Sequence, residues 1–330
     1  MNTLEITIKP LSGFGTPLKG DTIFGHLCWQ VEYDPSLFGA PLNDLLADYA
    51  EQPFLVVSSA YPKVQYEGKT CYAVNRPNMP LHMLFADSET ADRKDLKKRR
   101  WMLLGQGEGI ASFRAATYLD TAGLLKAIGG DHEVSPMLLK EFMQPRNTIN
   151  RQTGTTGSAP FAPFAVEQSV YLPGVELAVF VVTDAAITAE MLKEAFGRVG
   201  DTGFGKDASV GLGRFAVAAV AELDLASLGS ANPNACYALA PCVPHKGSFV
   251  NSFFTPFTRF GRHGDRLAKS GNPFKNPVVM ADDGAVFTPF NSEQMFTQPY
   301  FGSAVMNVSK AQPAAVVQGY APIIPVRLGD

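Results

Sequence analysis

Leu4, Ile6 and Ile8 alternate with Glu5, Thr7 and Lys9, so the chain opens on a period of two that predicts a half-buried strand. A turn-rich loop follows over Pro10–Gly20. The period then changes: Ile23, Leu27 and Val31 recur at helical spacing beside Phe24 and Cys28, and Asp21 is placed to cap a helix over Thr22–Tyr33. Leu42–Tyr49 reads as a second short helix, and Phe54–Ser58 as a buried strand. Far downstream, Val175–Thr183 is a continuous apolar run typical of a buried strand. Thr188 stands ready to cap a helix over Ile187–Val199, whose inner side carries Met191, Leu192, Ala195, Phe196 and Val199. Arg214–Leu223, with Phe215, Val217 and Val220 on one side, predicts a closing strand.

The stretch between these elements is less regular. Residues 63–112 show no clear period. Ser112–Leu119 reads as a strand, Pro136–Met143 as a short helix, and Thr153–Pro163 as a flexible loop or hairpin tip. Beyond residue 222 the helical period disappears. Tyr237–Val243, Val278–Met280 with Val286–Thr288, Ser303–Val308 and Tyr320–Arg327 read as strands separated by Pro and Gly. The pattern predicts a first domain over 1–222, interrupted by an insertion over roughly 34–170, and a strand-rich second domain over 223–330.

Composition narrows the class. The 330 residues are 46% hydrophobic and 18% charged, enough for a substantial core. The chain has no apolar run of membrane-spanning length and no signal-like start, which predicts a cytoplasmic protein. Cys28, Cys71, Cys236 and Cys242 lack metal-ligand spacing, and the five histidines are scattered. Neither a metal nor a cofactor is expected. A net charge of −3 argues against a free-standing nonspecific nucleic-acid binder. Two local clusters run the other way: Arg259, Arg262, Arg266, Lys269 and Lys275 against Asp265, and Arg93, Lys94, Lys97, Lys98, Arg99 and Arg100 against Asp95.

The densest chemical signal is Gly200-Asp-Thr-Gly-Phe-Gly-Lys-Asp-Ala-Ser-Val-Gly-Leu-Gly-Arg-Phe215. Such a loop can bring backbone N–H groups close to phosphate, and Lys206 and Arg214 add charge. A mononucleotide P-loop does not fit. Asp207 replaces the metal-binding Ser/Thr, and the loop runs from helix to strand instead of strand to helix. From the glycines alone, a flexible surface loop is the simpler reading.

The order strand, helix, Gly-rich loop ending Gly211-Leu-Gly213-Arg214-Phe215, strand resembles the RAMP superfamily of CRISPR RNA-binding proteins. Pro17-Leu-Lys-Gly-Asp-Thr-Ile-Phe-Gly-His-Leu-Cys-Trp29, Val57-Ser-Ser-Ala-Tyr-Pro62, Arg146-Asn-Thr-Ile-Asn-Arg-Gln-Thr-Gly154, Phe257-Thr-Arg-Phe-Gly-Arg-His-Gly-Asp265 and Asn272-Pro-Phe-Lys-Asn-Pro277 occur in the order expected. Together they resemble the crRNA 5′-tag-binding fourth subunit of type III-A (Csm) effector complexes. The resemblance implies an α+β fold of two ferredoxin-like (RRM-like) domains, the first with the long insertion and the second degenerate. It implies a ribonucleoprotein scaffold without catalysis. Its partners would be the 5′ tag of the crRNA, a large polymerase-like subunit and a backbone RAMP subunit. The equivalent subunit of a type III-B (Cmr) complex and an RNA-processing endonuclease of the same superfamily are the alternatives.

The RNA-binding residues implied are Lys19 and Asp21 at the first helix; Arg146, Asn147 and Arg151 in a thumb-like hairpin; and Gly203, Gly205, Lys206, Ser209, Gly211, Gly213 and Arg214 in the Gly-rich loop. Arg259, Arg262, His263 and Lys275, interleaved with Phe254, Phe257, Phe260 and Phe274, complete the set, because basic plus aromatic residues suit single-stranded RNA. Taken alone, Asp21 is a cap and the basic-aromatic segment a charged loop over a core. Phe161 and Phe164 are either stacking residues or core. The run 93–100 stays unassigned: a solvated face, or a contact for RNA or an acidic partner.

Overall fold

The computed structural model describes residues 1–86, 88–129, 137–158, 160–291 and 296–328. In chain order the strands are β1 (Asn2–Pro10), β2 (Leu55–Tyr66), β3 (Lys69–Asn75), β4 (Trp101–Gly105), β5 (Tyr118–Leu119), β6 (Leu139–Arg146), β7 (Phe164–Tyr171), β8 (Glu176–Thr183), β9 (Phe215–Glu222), β10 (Ala235–Ala238), β11 (Phe249–Phe253), β12 (Pro256–Arg259), β13 (Val278–Ala281), β14 (Val286–Pro289), β15 (Tyr300–Gly302) and β16 (Tyr320–Val326). The helices are α1 (Gly20–Tyr33), α2 (Leu42–Ala47), α3 (Leu81–Leu84), α4 (Arg93–Lys98), α5 (Thr121–Ile128) and α6 (Ala189–Thr202).

A seven-stranded sheet of order β5-β4-β3-β2-β8-β1-β9 forms the larger layer, and every pair in it is antiparallel. α1 connects β1 to β2, and α6 connects β8 to β9. Ile23, Leu27, Phe196 and Val199 meet Ile8 and Phe215, so both helices cover one face of the sheet. Each of these buried side chains contributes on the order of 1.5–3 kcal/mol by leaving water.

Strand β1 departs from the half-buried expectation. Glu5 and Thr7, on its other face, are buried too. Glu5 is satisfied by the Tyr72 hydroxyl at 2.6 Å, the Lys63 ammonium at 2.7 Å and the Thr7 hydroxyl at 2.7 Å. Burial works to raise the Glu5 pKa, but these donors hold it below the ordinary value.

Several expectations are corrected. The described residues of 63–112 carry regular elements: the end of β2, all of β3 and β4, and α4. β2 therefore lies inside the span 34–170 and yet is a central strand of the sheet. The segment expected as a helix over Pro136–Met143 enters strand β6 instead; Pro136 itself lies outside the described residues. Cross-strand pairing with β7 overrides its helical spacing. Within Ser112–Leu119, only Tyr118–Leu119 is strand, after a single 3-10 turn. Ser303–Val308 forms no strand; Tyr300–Gly302 pairs with β16 in its place. Val278–Met280 and Val286–Thr288, by contrast, form strands as expected; β13 joins β12, and β14 joins β10 and β11.

The C-terminal strands form a five-stranded sheet, β11-β14-β10-β16-β15, and the pair β12-β13. They are stitched to the first sheet at a bulge in β2 between Val57 and Ala60. Backbone groups freed there find partners at once. Ser59 N–H donates to the Leu239 carbonyl at 2.8 Å, and Ala60 N–H to the Leu18 carbonyl at 2.9 Å. The Gln318 amide accepts from Val57 N–H at 2.9 Å and donates to Val57 C=O at 2.8 Å, replacing a strand neighbour. One hydrophobic cluster runs from Leu4 through to Val326.

Candidate nucleic-acid interface

The Gly-rich loop is held from beneath by rings. Phe204 lies 4.7 Å from the His26 ring of α1 and 6.5 Å from Phe14, and Phe14 meets Tyr171 of β7 edge-on at 5.6 Å. These rings join α1, the Gly-rich loop, the β1–α1 loop and the β6–β7 hairpin. Backbone bonds reinforce the join. Gly213 N–H donates to Gly13 C=O at 2.7 Å, and Phe14 and Ser169 exchange a bridge. Gly13 lies so close to Gln168 that a Cβ there would sit 2.1 Å from its side-chain oxygen. The β1–α1 loop, the Gly-rich loop and the Gln168–Tyr171 end of the hairpin therefore meet, while Arg146 pairs with Phe164 toward the hairpin's other end.

The glycines do different work from one another. Gly200 is inside α6, which runs three residues past the expected end, and a Cβ would lie 2.2 Å from Phe215 O. That glycine lets helix and strand pack closely. Gly213 (φ +73°) touches the Phe204 backbone, whereas Gly211 (φ +95°) faces open space. Most loop N–H groups are used internally: Gly205 donates to His26 Nε2 at 3.0 Å, Lys206 to Thr16 at 2.9 Å and Arg214 to Ser12 at 2.9 Å. An extensive cradle of free amides is thus not what this loop presents. It presents the exposed side chains of Lys206, Ser209 and Arg214, with Lys206 only loosely paired to Asp207 at 3.9 Å. Burial pushes His26 down to about 4, so it is a neutral acceptor for the Gly205 amide.

The second cluster surrounds the start of α1. Asp21 is not the cap: the helix begins at Gly20, and Lys19 occupies the capping position without a side-chain cap bond. The Asp21 carboxylate instead takes both arms of Arg259, at 2.5 and 2.8 Å, with only 2% of its side chain exposed. The ammonium of Lys19 lies 2.6 Å from Asp283 and in contact with Asp282. Burial works against its charge, and the two carboxylates hold its pKa above the ordinary value. Lys19 Nζ and Arg259 Cζ each lie 4.7 Å from the Phe257 ring. The charges of Lys19, Asp21 and Arg259 are therefore met within the protein. His263 is buried as well, 2.6 Å from the Ser309 hydroxyl, and burial lowers its pKa.

The exposed part of this region is Arg262, Phe260 and Phe274. Phe260 and Phe274 are 76% and 68% exposed, and the Arg262 guanidinium rides over Phe274 at 5.5 Å. Lys275 is half-buried beside Cys28, with its pKa lowered by burial, in a cavity of about 90 Å³ also lined by Trp29, His263 and Gln312. On the hairpin, Asn147 and Arg151 are exposed, and Arg146 donates to Gln144 at 3.0 Å. Phe164 is half exposed at the hairpin end, while Phe161 is partly covered. Among the described residues no group of three His, Cys, Asp or Glu side chains is arranged to hold a metal ion, and no helix is long and apolar enough to cross a membrane.

Sequence reasoning missed Asp282 and Asp283 as partners of Lys19, and Gln168 and Gln318 as the stitches of the two loops. The adjacent acids before Gly284 were a visible signal for the first pair. Nothing local marks either glutamine, because each acts over a long sequence separation.

No protein-family model and no curated protein matches the chain. Solved structures do. A chain of the Csm1–Csm4 cassette in complex with pppApA aligns over 100% of both chains at 14% identity and a TM-score of 0.57. A chain of the Csm3–Csm4 subcomplex in the type III-A CRISPR-Cas interference complex aligns over 98% of this chain and 99% of that one, at 12% identity and 0.56. The chain thus has a strand-rich, mixed α/β fold that it shares with these structures over its whole length.

Proposed function

We propose that this chain is the crRNA-binding scaffold subunit of a type III-A CRISPR effector complex, gripping the repeat-derived 5′ tag and docking the large polymerase-like subunit and a backbone RAMP subunit. The observation that carries this reading is the ring-joined surface where the Gly-rich loop, the β1–α1 loop and the β6–β7 hairpin meet. It puts Lys206, Ser209 and Arg214 on a fixed loop, with Arg146, Asn147 and Arg151 on the adjoining hairpin. Phosphate contact fixes register, and splayed bases supply specificity. Phe260, Phe274 and Arg262 offer stacking surfaces with adjacent charge.

The antiparallel order β9-β1-β8-β2, with α1 and α6 as crossovers, supports a ferredoxin-like unit over 1–222, extended by the insertion within 34–170. Residues 223–330 are its degenerate counterpart. Lys19, Asp21, Arg259, His263 and Lys275 act in this reading as the frame of the RNA surface. An RNA phosphate reaching Lys19 or Arg259 must displace a carboxylate already bound there. The scaffold performs no chemistry of its own.

The test is to co-express the chain with its neighbouring gene products, purify by a tag on this chain and sequence the bound RNA. Recovered RNAs sharing one repeat-derived 5′ end support the reading. RNA of random 5′ sequence, or precursor cut by this chain alone, contradicts it.

A further inference from the structure

Residues 93–100 lie away from that surface. They precede β4, near the sheet edge opposite β9, where the Gly-rich loop ends. At one strand spacing of about 4.8 Å each, the two edges are roughly 25–30 Å apart. A basic run is ordinarily a solvated helix face, but this one is built into the fold. Asp92 caps α4 by accepting from Lys94 N–H at 2.9 Å, and Leu96 is buried beneath the helix. Arg76 then donates its guanidinium to the carbonyls of Leu96 at 2.9 Å and Arg99 at 3.1 Å, while its own N–H donates to Arg100 C=O at 2.7 Å.

Arg76 is a costly clamp. Burial depresses its pKa, and the neighbouring Arg100 depresses it further. Placing a partly desolvated cation beside further cations opposes folding, and the backbone carbonyls that Arg76 bonds offset that cost. The result is a cleft of about 400 Å³ with Lys97, Lys98 and Arg100 along one wall and Asp120, Thr121 and Ala122 along the other. The Asp120 carboxylate is turned to its own helix, accepting from Gly123 N–H at 2.8 Å. Lys98 reaches Asp95 at 2.8 Å in an exposed pair that holds it weakly.

The chemistry of the patch selects its occupant. None of the large hydrophobic side chains that stand exposed among the described residues falls between 34 and 136. Stable protein interfaces need an apolar core, and base recognition needs aromatic platforms. This cleft offers neither; it offers the cations Lys97, Lys98 and Arg100, with the Asp120 carboxylate engaged by its own helix. We propose that Lys97, Lys98 and Arg100 form a second, sequence-independent contact for a single-stranded RNA sugar-phosphate backbone. This contact does not rest on the tag reading, and it is tested with RNA that carries no tag.

The measurement is fluorescence anisotropy of the full chain with a 5′-labelled 20-nucleotide oligouridylate over a KCl series. Lys97→Gln/Lys98→Gln/Arg100→Gln is expected to weaken binding about tenfold at low salt. It should also flatten the log K against log[KCl] slope by about 2, since each lost phosphate contact removes about 0.7. Lys97→Gln alone should flatten it by about 0.7, which keeps the test open if the triple variant folds poorly. Equal slopes for all three proteins overturn the proposal, as does failure of the wild type to bind at 50 mM KCl. A triple variant with unchanged RNA affinity that loses a neighbouring protein subunit also overturns it, and makes the cleft an acidic-partner surface.

Discussion

Asp21 and Arg259, 238 positions apart in the chain, close a two-armed ion pair across the start of α1. This pair and the two contacts of Lys19 with Asp282 and Asp283 tie the first helix to the β12–β13 ribbon and to the turn that follows it. Their positive charges lie over the same Phe257 ring. Basic residues that resemble RNA contacts in the sequence are thus, at these two positions, structural cations.

The first prediction follows from that pairing. Asp21→Ala leaves the Arg259 guanidinium, with 18% of its side chain exposed, without a counter-charge. Removing one partner of a largely buried pair should lower stability by about 2–4 kcal/mol. Thermal denaturation checks this. A melting temperature equal to that of the wild type would reassign the pair to the surface.

Gly211 and Gly213 separate loop conformation from packing. Gly213→Ala drives a Cβ to within 2.0 Å of the Phe204 backbone and should unfold the loop's base. Gly211→Ala meets open space and strains only its own positive φ, at a cost of about 1–2 kcal/mol. The first variant should express poorly or melt early. The second should fold and can report on RNA retention alone.

His26 makes stability depend on pH. Its folded pKa, about 4, lies below the ordinary 6.5 because the ring is buried. As pH falls below 6.5, the unfolded chain takes up the proton first, so stability is lost between pH 6.5 and 4. At pH 5 the loss relative to pH 7 is about 2 kcal/mol. Asp283, whose pKa is raised by burial and by Asp282, works in the opposite direction over part of that range. The difference between wild type and His26→Gln therefore isolates the effect. Chemical denaturation at pH 7 and pH 5 should show a smaller acid loss in the variant. Equal losses would mean that His26 is solvated.

The elements legible in the sequence were those with a clean period or, for β8, an unbroken apolar run. β1, α1, β8, α6 and β9 each carry an apolar face matched to one sheet or helix, and all five formed near their expected limits. What was not legible depends on distant partners. β3 and β4 look irregular because both faces are covered, so alternation is lost. β6 is mostly exposed on a projecting hairpin and is defined by β7 alone. At the site, the Gly-rich loop was visible as a dense glycine run, but the internal use of its amides was not. That depends on Gly13, Thr16 and His26, which the chain brings up from nearly two hundred positions away.

Gln318 tests how firmly the C-terminal strands are joined to the first sheet. Gln318→Ala leaves Val57 N–H and C=O buried without partners, which should cost about 2–4 kcal/mol. Hydrogen exchange at the Val57 amide should accelerate before the helices of the first sheet open. Unchanged protection there would locate the join elsewhere.

The most direct test of the account is equilibrium binding of two otherwise identical labelled crRNAs, one with the natural 5′ tag and one with a scrambled tag. The protein is the complex assembled with wild-type chain or with Lys206→Ala/Arg214→Ala/Arg262→Ala. The account predicts at least tenfold tighter binding of the natural tag by the wild type, with most of that preference lost in the variant, about 1.4 kcal/mol or more. Equal affinity of the wild type for both RNAs, or a full preference retained by the variant, would contradict it.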